Sequence, residues 1–263
     1  MFRRAWLSIA SLMLCLFGSA YAMPPETAVA AYDEPGQAQS PGQAQIMAAA
    51  HAELMRFLLQ PLDDPHRLRG YRIAILAADG VDGFNLEVPR QFLTERGATV
   101  HVIVPRPSYV LQATGSGAVL KPKTEIAVLD PSGELRVAAF DRFVDQVQPQ
   151  DYDVVYLPGS STFSADLADP RSLAFLQKTA RSGISIFAIG NSPLVLLKAG
   201  LLEGRWVTGD EATLSGLATS SARVADQRLV SDGTIHTSRD AFDMPVLMDL
   251  LVATLLEAPA RAR

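Results

Sequence analysis

The sequence has 263 residues, a formal net charge of −5 and one cysteine. That length suits one domain with a single large core once the ends are set aside. A moderately acidic chain without a basic stripe or an aromatic-plus-arginine cluster excludes nucleic acid as the main partner.

Residues 1–22 read as a secretory signal peptide. Arg3 and Arg4 give a positive start, and residues 5–17 are apolar except for Ser8 and Ser11. Ala20 and Ala22 fit the small-residue cleavage pattern, so cleavage is expected after Ala22. The apolar stretch is shorter than the ~20 residues a spanning helix needs. The expected mature chain is therefore periplasmic or secreted, without stable membrane insertion. Cys15 leaves with the signal, and bulky Leu14 before it argues against lipidation. The mature chain then has no disulfide, thiolate nucleophile or thiolate metal site.

Residues 23–45, rich in Ala, Pro, Gln and Gly, read as a flexible leader. Residues 46–66 read as an amphipathic helix and linker. Ile46, Met47, Ala50, Leu54, Phe57 and Leu58 recur at helical spacing, and Pro61 and Pro65 end the pattern. This helix is expected to pack on the domain or on a partner.

Residues 67–258 form the expected domain. Strands are expected at 71–77, 98–104, 153–157 and 184–189, each a short apolar run. Helices are expected at 85–96, 171–181 and 193–199, closed by Gly97, Gly183 and Gly200. Asp169 is expected to cap the second of these, with Pro170 opening it. Residues 108–130 are turn-rich, with an edge hairpin around Gly115 and Gly117, and 138–147 reads as a short helix. Short strands at 206–208, 228–231 and 234–237 precede a last helix over 240–256. Apolar strands alternating with helices argue for a parallel sheet covered on both faces. Ligands of such sheets bind beyond the carboxyl ends of the strands. Three such ends carry distinctive turns: Asp79 to Asn85, Pro158-Gly159-Ser160-Ser161 and Gly190-Asn191-Ser192-Pro193.

Four segments in colinear order resemble the ThiJ/PfpI family, in the class I glutamine amidotransferase-like superfamily. They are the βαβ unit at 72–105, DYDVVYLPGS at 151–160, ISIFAIGNSPLVLLKAGLLEGRWVT at 184–208 and VSDGTIHTSRD at 230–240. The resemblance implies an α/β, flavodoxin-like three-layer sandwich with a mainly parallel sheet and a nucleophile-elbow-type strand-turn-helix. It also implies a homodimer. The family's hydrolase, amidase, glyoxalase-like, deglycase-like and isonitrile hydratase activities lean on an elbow cysteine. A carboxylate from the first βα turn and a histidine assist it, and the P-G-G turn resembles an oxyanion hole.

This chain departs at each of those side chains. Aligned on Pro193, Gly190 stands where the cysteine is expected and Asn191 where the histidine follows. Aligned on Pro89, Asn85 replaces the carboxylate; Asp210 falls on another histidine position, and Ser160 replaces the second glycine of P-G-G. Ser192 is the best substitute nucleophile, but Leu194 spoils a G-x-S-x-G elbow, and no histidine lies in a site-facing turn. A helix-capping role for Ser192 is the expectation. His101 and His236 are expected to be satisfied strand residues, and Arg239 an ion-pair partner. Asp82, Asn85, Asn191 and Asp210 make a poor metal set, and Asp82 and Asn85 are expected to serve a helix start. No metal or cofactor is expected. The favoured reading is a non-catalytic member whose pocket of Asn85, Gly159, Ser160, Gly190, Asn191, Ser192 and Asp210 binds a small polar ligand, or which acts through dimeric interaction. The alternative is a hydrolase/amidase- or glyoxalase-like enzyme with a non-cysteine mechanism.

Overall fold

A computed structural model describes residues 41–106, 109–114, 117–130, 132–160 and 165–257. The expected signal segment and most of the expected leader lie outside these residues. Helix α1 (Pro41–Leu59) begins inside the span read as leader. Proline at a first helical position has its φ preset and lacks an N–H that would go unpaired there. Leu54 and Phe57 of α1 are buried on the domain, whereas Ile46 is 67% exposed and Met47 45% exposed. Only part of the predicted apolar stripe is therefore used.

The elements that follow are β1 (Arg72–Leu76), β2 (Val81–Asp82), α2 (Gly83–Glu95), β3 (Thr99–Val104), β4 (Tyr109–Thr114), β5 (Gly117–Pro122), β6 (Glu125–Leu129), β7 (Leu135–Ala139), β8 (Arg142–Phe143) and β9 (Val154–Leu157). Then come α3 (Pro170–Arg181), β10 (Ser185–Ile189), α4 (Pro193–Lys198), β11 (Trp206–Val207), α5 (Glu211–Leu217), β12 (Arg223–Val224), β13 (Leu229–Asp232), β14 (Ile235–Ser238) and α6 (Met244–Glu257).

The main sheet has the order β13-β14-β10-β9-β1-β3-β8. Its pairs are parallel except β13–β14. Alternation along each strand sends side chains to opposite faces. Ile73, Ile75, Phe187 and Ile189 join the core beneath α1, α2 and α6. Ala74, Leu76, Ile186 and Ala188 join the core beneath α3 and α4. These two cores make three layers, a flavodoxin-like α/β fold. The expected hairpin is present as β4–β5, with residues 115–116 outside the described residues.

The short helix expected over 138–147 does not form. Residues 135–139 pair antiparallel with β6, and β8 joins the edge of the main sheet. Only Val144–Gln146 makes a single 3₁₀ turn. Asp141 explains the outcome: its N–H donates to Val102 O at 2.8 Å, while its Oδ2 accepts from Val102 N at 2.7 Å. That pair fixes the chain as an extended edge. The last helix also starts later than expected, after a 3₁₀ turn at Ala241–Asp243 capped by the Asp240 carboxylate.

Candidate functional site

The carboxyl ends of β9, β10 and β14 and the start of α2 converge on Gly190. This residue turns sharply out of β10 with φ +67°, a region that L side chains avoid. Its N–H donates to Ser238 O at 3.2 Å, and its carbonyl accepts from Asp210 N at 3.2 Å. The elbow geometry is therefore kept although no nucleophile stands on it. Room for a side chain is kept as well. A Cβ at Gly190 would lie 3.6 Å from Gly159 Cα and 3.9 Å from both Arg239 O and Asp210 Oδ2, all ordinary contacts.

Asn85 lies beside this space. Its amide Nδ2 would be 3.2 Å from a Cβ on Gly159, so the glycine allows the close approach. Asn85 is 7% exposed, and its Oδ1 is buried without a hydrogen-bond partner. Its main chain is well held: the N–H donates to Asp82 Oδ1 at 2.8 Å, and the carbonyl accepts from Tyr156 Oη at 2.9 Å. Asp82 is thus the cap of α2, as expected, while the Asn85 side chain takes no part in capping. Burial raises the Asp82 pKa, outweighing two backbone hydrogen bonds that lower it. Burial likewise pushes the Tyr156 phenol well above its ordinary value.

Asn191 has a different role from the one expected. Its Nδ2 donates to Ser160 O at 2.7 Å, and its Oδ1 accepts from Ser160 N at 2.9 Å. The amide ties the elbow to the turn after β9. Gly159 O accepts from Asp82 N at 3.0 Å, which joins the first turn to the same cluster. Asp210 caps α5 through Oδ1, which accepts from Thr213 N at 2.8 Å, and leaves Oδ2 toward Gly190.

The expected side-chain cap by Ser192 is absent. The residue stands at the N-cap position of α4, but its hydroxyl is turned inward. Oγ lies 2.7 Å from Ile189 O, 2.8 Å from Pro158 O and 3.0 Å from Leu157 O. Its one proton has three carbonyl acceptors, and the residue is 2% exposed. Such surroundings oppose loss of that proton, so the geometry does not favour Ser192 as a nucleophile.

The histidines sit where the strands put them. His101 Nδ1 is 3.2 Å from Tyr152 Oη. His236 stacks on Phe187 at 4.5 Å between centroids, with Nδ1 2.9 Å from Ser231 Oγ. His236 pairs in register with Phe187, three positions before the elbow, or about 10 Å of strand. Arg239 pairs with Asp243 at 2.7 Å and Asp226 at 3.2 Å, the structural role expected. Among the described residues, no group of three or more His, Cys, Asp or Glu is placed to hold a metal ion. None of their helices is long and apolar enough to cross a membrane.

Tyr156, the unpartnered Oδ1 of Asn85 and the clamp on Ser160 were missed at the sequence level. The one available signal was the position of Tyr156 just before the Leu157-Pro158-Gly159 strand end.

A sequence model of the DJ-1/PfpI family matches residues 71–254. Protein/nucleic acid deglycase 2 of Escherichia coli K12 is 31% identical over 114 residues, which are 43% of this chain and 66% of that protein. A deglycase of Thermococcus kodakarensis is 24% identical over 184 residues, covering 70% of this chain and 99% of that protein. Among solved structures, a ThiJ/PfpI family protein from Pseudomonas syringae superposes with TM-score 0.56 at 21% identity, covering 73% of this chain and 72% of that one. Drosophila melanogaster DJ-1beta gives TM-score 0.53 at 22% identity, covering 71% and 94%.

Proposed function

The chain belongs to the DJ-1/PfpI family, and we propose that it is an exported member that binds a small polar ligand at the elbow without cysteine chemistry. The carrying observation is Gly190: the left-handed turn persists at φ +67° while the position holds no nucleophile. The space it leaves faces the Asp210 carboxylate, and Asn85, whose Oδ1 is buried without a partner, approaches the neighbouring Gly159 through its Nδ2. Neither amide nor carboxylate replaces a thiol with a neighbouring imidazole. Ser160, Asn191 and Asp210 are only partly buried, so the site has a polar, accessible rim. A donor-rich small molecule fits such a rim.

Export rests on the signal-like residues 1–22. A homodimer is part of the same proposal and is checked by sedimentation of the mature chain.

The deglycase names of two relatives favour a second reading, in which hydrolase-, amidase- or glyoxalase-like turnover survives by another route. One experiment separates the two. Purified mature chain is titrated calorimetrically with small polar metabolites and assayed with methylglyoxal and ester probes. The binding reading expects saturable heat that Asn85→Leu removes, and no turnover. Turnover abolished by Ser192→Ala would establish the second reading instead.

A further inference from the structure

A groove far from the elbow is built by the part of the chain that precedes the family domain. The DJ-1/PfpI match begins at residue 71, whereas α1 and its linker precede it. Phe57, Leu58, Leu62, Pro65, Val88 and Phe92 line a mainly apolar cavity of about 390 Å³ between that extension and α2. This volume lies in the range of small-ligand sites, about 300–1,000 Å³.

A smaller polar cavity of about 270 Å³ adjoins it and shares Gln60, Phe92 and Arg96. Arg96 sits at the junction. Its guanidinium carbon lies 3.7 Å above the Phe92 ring, and Nη1 donates to Phe92 O at 3.0 Å. Among the described residues, no carboxylate forms an ion pair within 4.0 Å of Arg96 or of Arg67 in the polar cavity. Burial lowers the Arg96 pKa, so part of its hydration is already lost. Glu95, Asp63 and Asp249 act on Arg96 as opposite charges, but with none of them paired to it directly the planar, partly dehydrated guanidinium keeps donors for a carboxylate. Asp63, Asp64 and Asp249 also line the polar cavity, which disfavours a polyanion such as a nucleotide.

We propose that this groove binds a free, single-chain apolar carboxylate, with the chain between α1 and α2 and the head on Arg96 and Arg67. The site is independent of the elbow and of the function proposed there.

The test uses the mature chain and decanoate below its micelle concentration, with decanol and decyltrimethylammonium as comparators. Calorimetry is expected to show one decanoate per chain. Arg96→Gln should weaken decanoate by roughly tenfold or more, the size of a lost charge-assisted bond, and change decanol less than about twofold. Leu62→Glu, at a residue already 42% exposed, should weaken both. Melting curves show which variants fold, and Arg67→Gln replaces Arg96→Gln if the latter does not. Equal affinity for decanoate and decanol overturns the proposal. So does no decanoate binding, binding unchanged in both variants, or binding to phosphatidylglycerol vesicles alone.

Discussion

Asn191 grips the main chain of Ser160 from both sides, donating to its carbonyl at 2.7 Å and accepting from its N–H at 2.9 Å. The two residues are far apart in sequence, and the bond pair joins the strand ends of β9 and β10. Asn191→Ala deletes both bonds. The expected cost is about 1–3 kcal/mol. For a domain of this size each kcal/mol corresponds to about 2–4 °C of Tm. Thermal unfolding checks this. An unchanged Tm would mean that the clamp is incidental.

Gly190 invites the converse experiment. A Cβ there meets nothing closer than 3.6 Å, so volume does not forbid a side chain. Only the backbone conformation does, at about 1–2 kcal/mol for a non-glycine residue. Gly190→Ala should therefore fold with about that loss, read from denaturant midpoints. Gly190→Cys should fold similarly and place a thiol near Asp210 Oδ2, with no imidazole beside it. A nearby carboxylate disfavours thiolate. Slow alkylation at neutral pH and no methylglyoxal turnover are expected. Robust turnover in Gly190→Cys would show that the glycine alone silences the site.

The central sheet was legible because β1, β9 and β10 are buried over nearly their whole length and read as almost unbroken apolar runs, and β3 is buried at Val102, Ile103 and Val104. Residues 135–147 were not. Phe140, Phe143, Val144 and Val147 recur at three- and four-residue spacing, which imitates a helix. The two hydrogen bonds between Asp141 and Val102 decide the outcome, and no local pattern encodes them. The site divides the same way. The loss of cysteine and histidine was visible residue by residue. The inward hydroxyl of Ser192 and the bonded amide of Asn191 depend on carbonyls and amides supplied by β9 and its following turn. Two-residue strands such as β2 and β8 carry too short a pattern to announce themselves.

Asp243 holds the extension to the domain. It is 1% exposed and accepts from Arg228 Nε and Arg239 Nε, each at 2.7 Å. Arg228 in turn reaches Glu53 of α1 at 2.8 Å. Removing the shared carboxylate leaves Arg228 with Glu53 and Arg239 with Asp226, both guanidiniums being partly exposed. Asp243→Ala should cost about 1–3 kcal/mol, the scale of lost charge-assisted hydrogen bonds whose remaining partners are partly solvated. Glu53→Ala opens only a partly exposed pair and should cost under about 1 kcal/mol. Urea unfolding of both variants checks the ratio. Equal losses would show that Asp243 is not the hub.

His236 gives the fold a pH dependence with a defined sign. Burial lowers its pKa below the ordinary 6.5, since the charged ring would lose hydration beside Phe187. Above 6.5 both folded and unfolded chains keep this ring neutral, and its stabilising contribution is complete. As pH falls below 6.5, the unfolded chain takes up a proton that the folded chain refuses. Stability is therefore lost on the way down to the folded pKa. Asp82, Asp240 and Asp249 act in the opposite sense, because burial raises their pKa values above 3.8. Their protonation favours the fold as pH falls through the folded values toward 3.8, and that gain disappears as pH rises through them. His236→Phe keeps a ring on Phe187 and removes the titration. Denaturant unfolding at about pH 7.5 and about pH 5.5 should show a stability loss in the parent chain that shrinks in the variant. The imidazole proton signals of the folded parent should titrate below 6.5. A folded-state pKa at or above that value would remove the physical basis of this prediction.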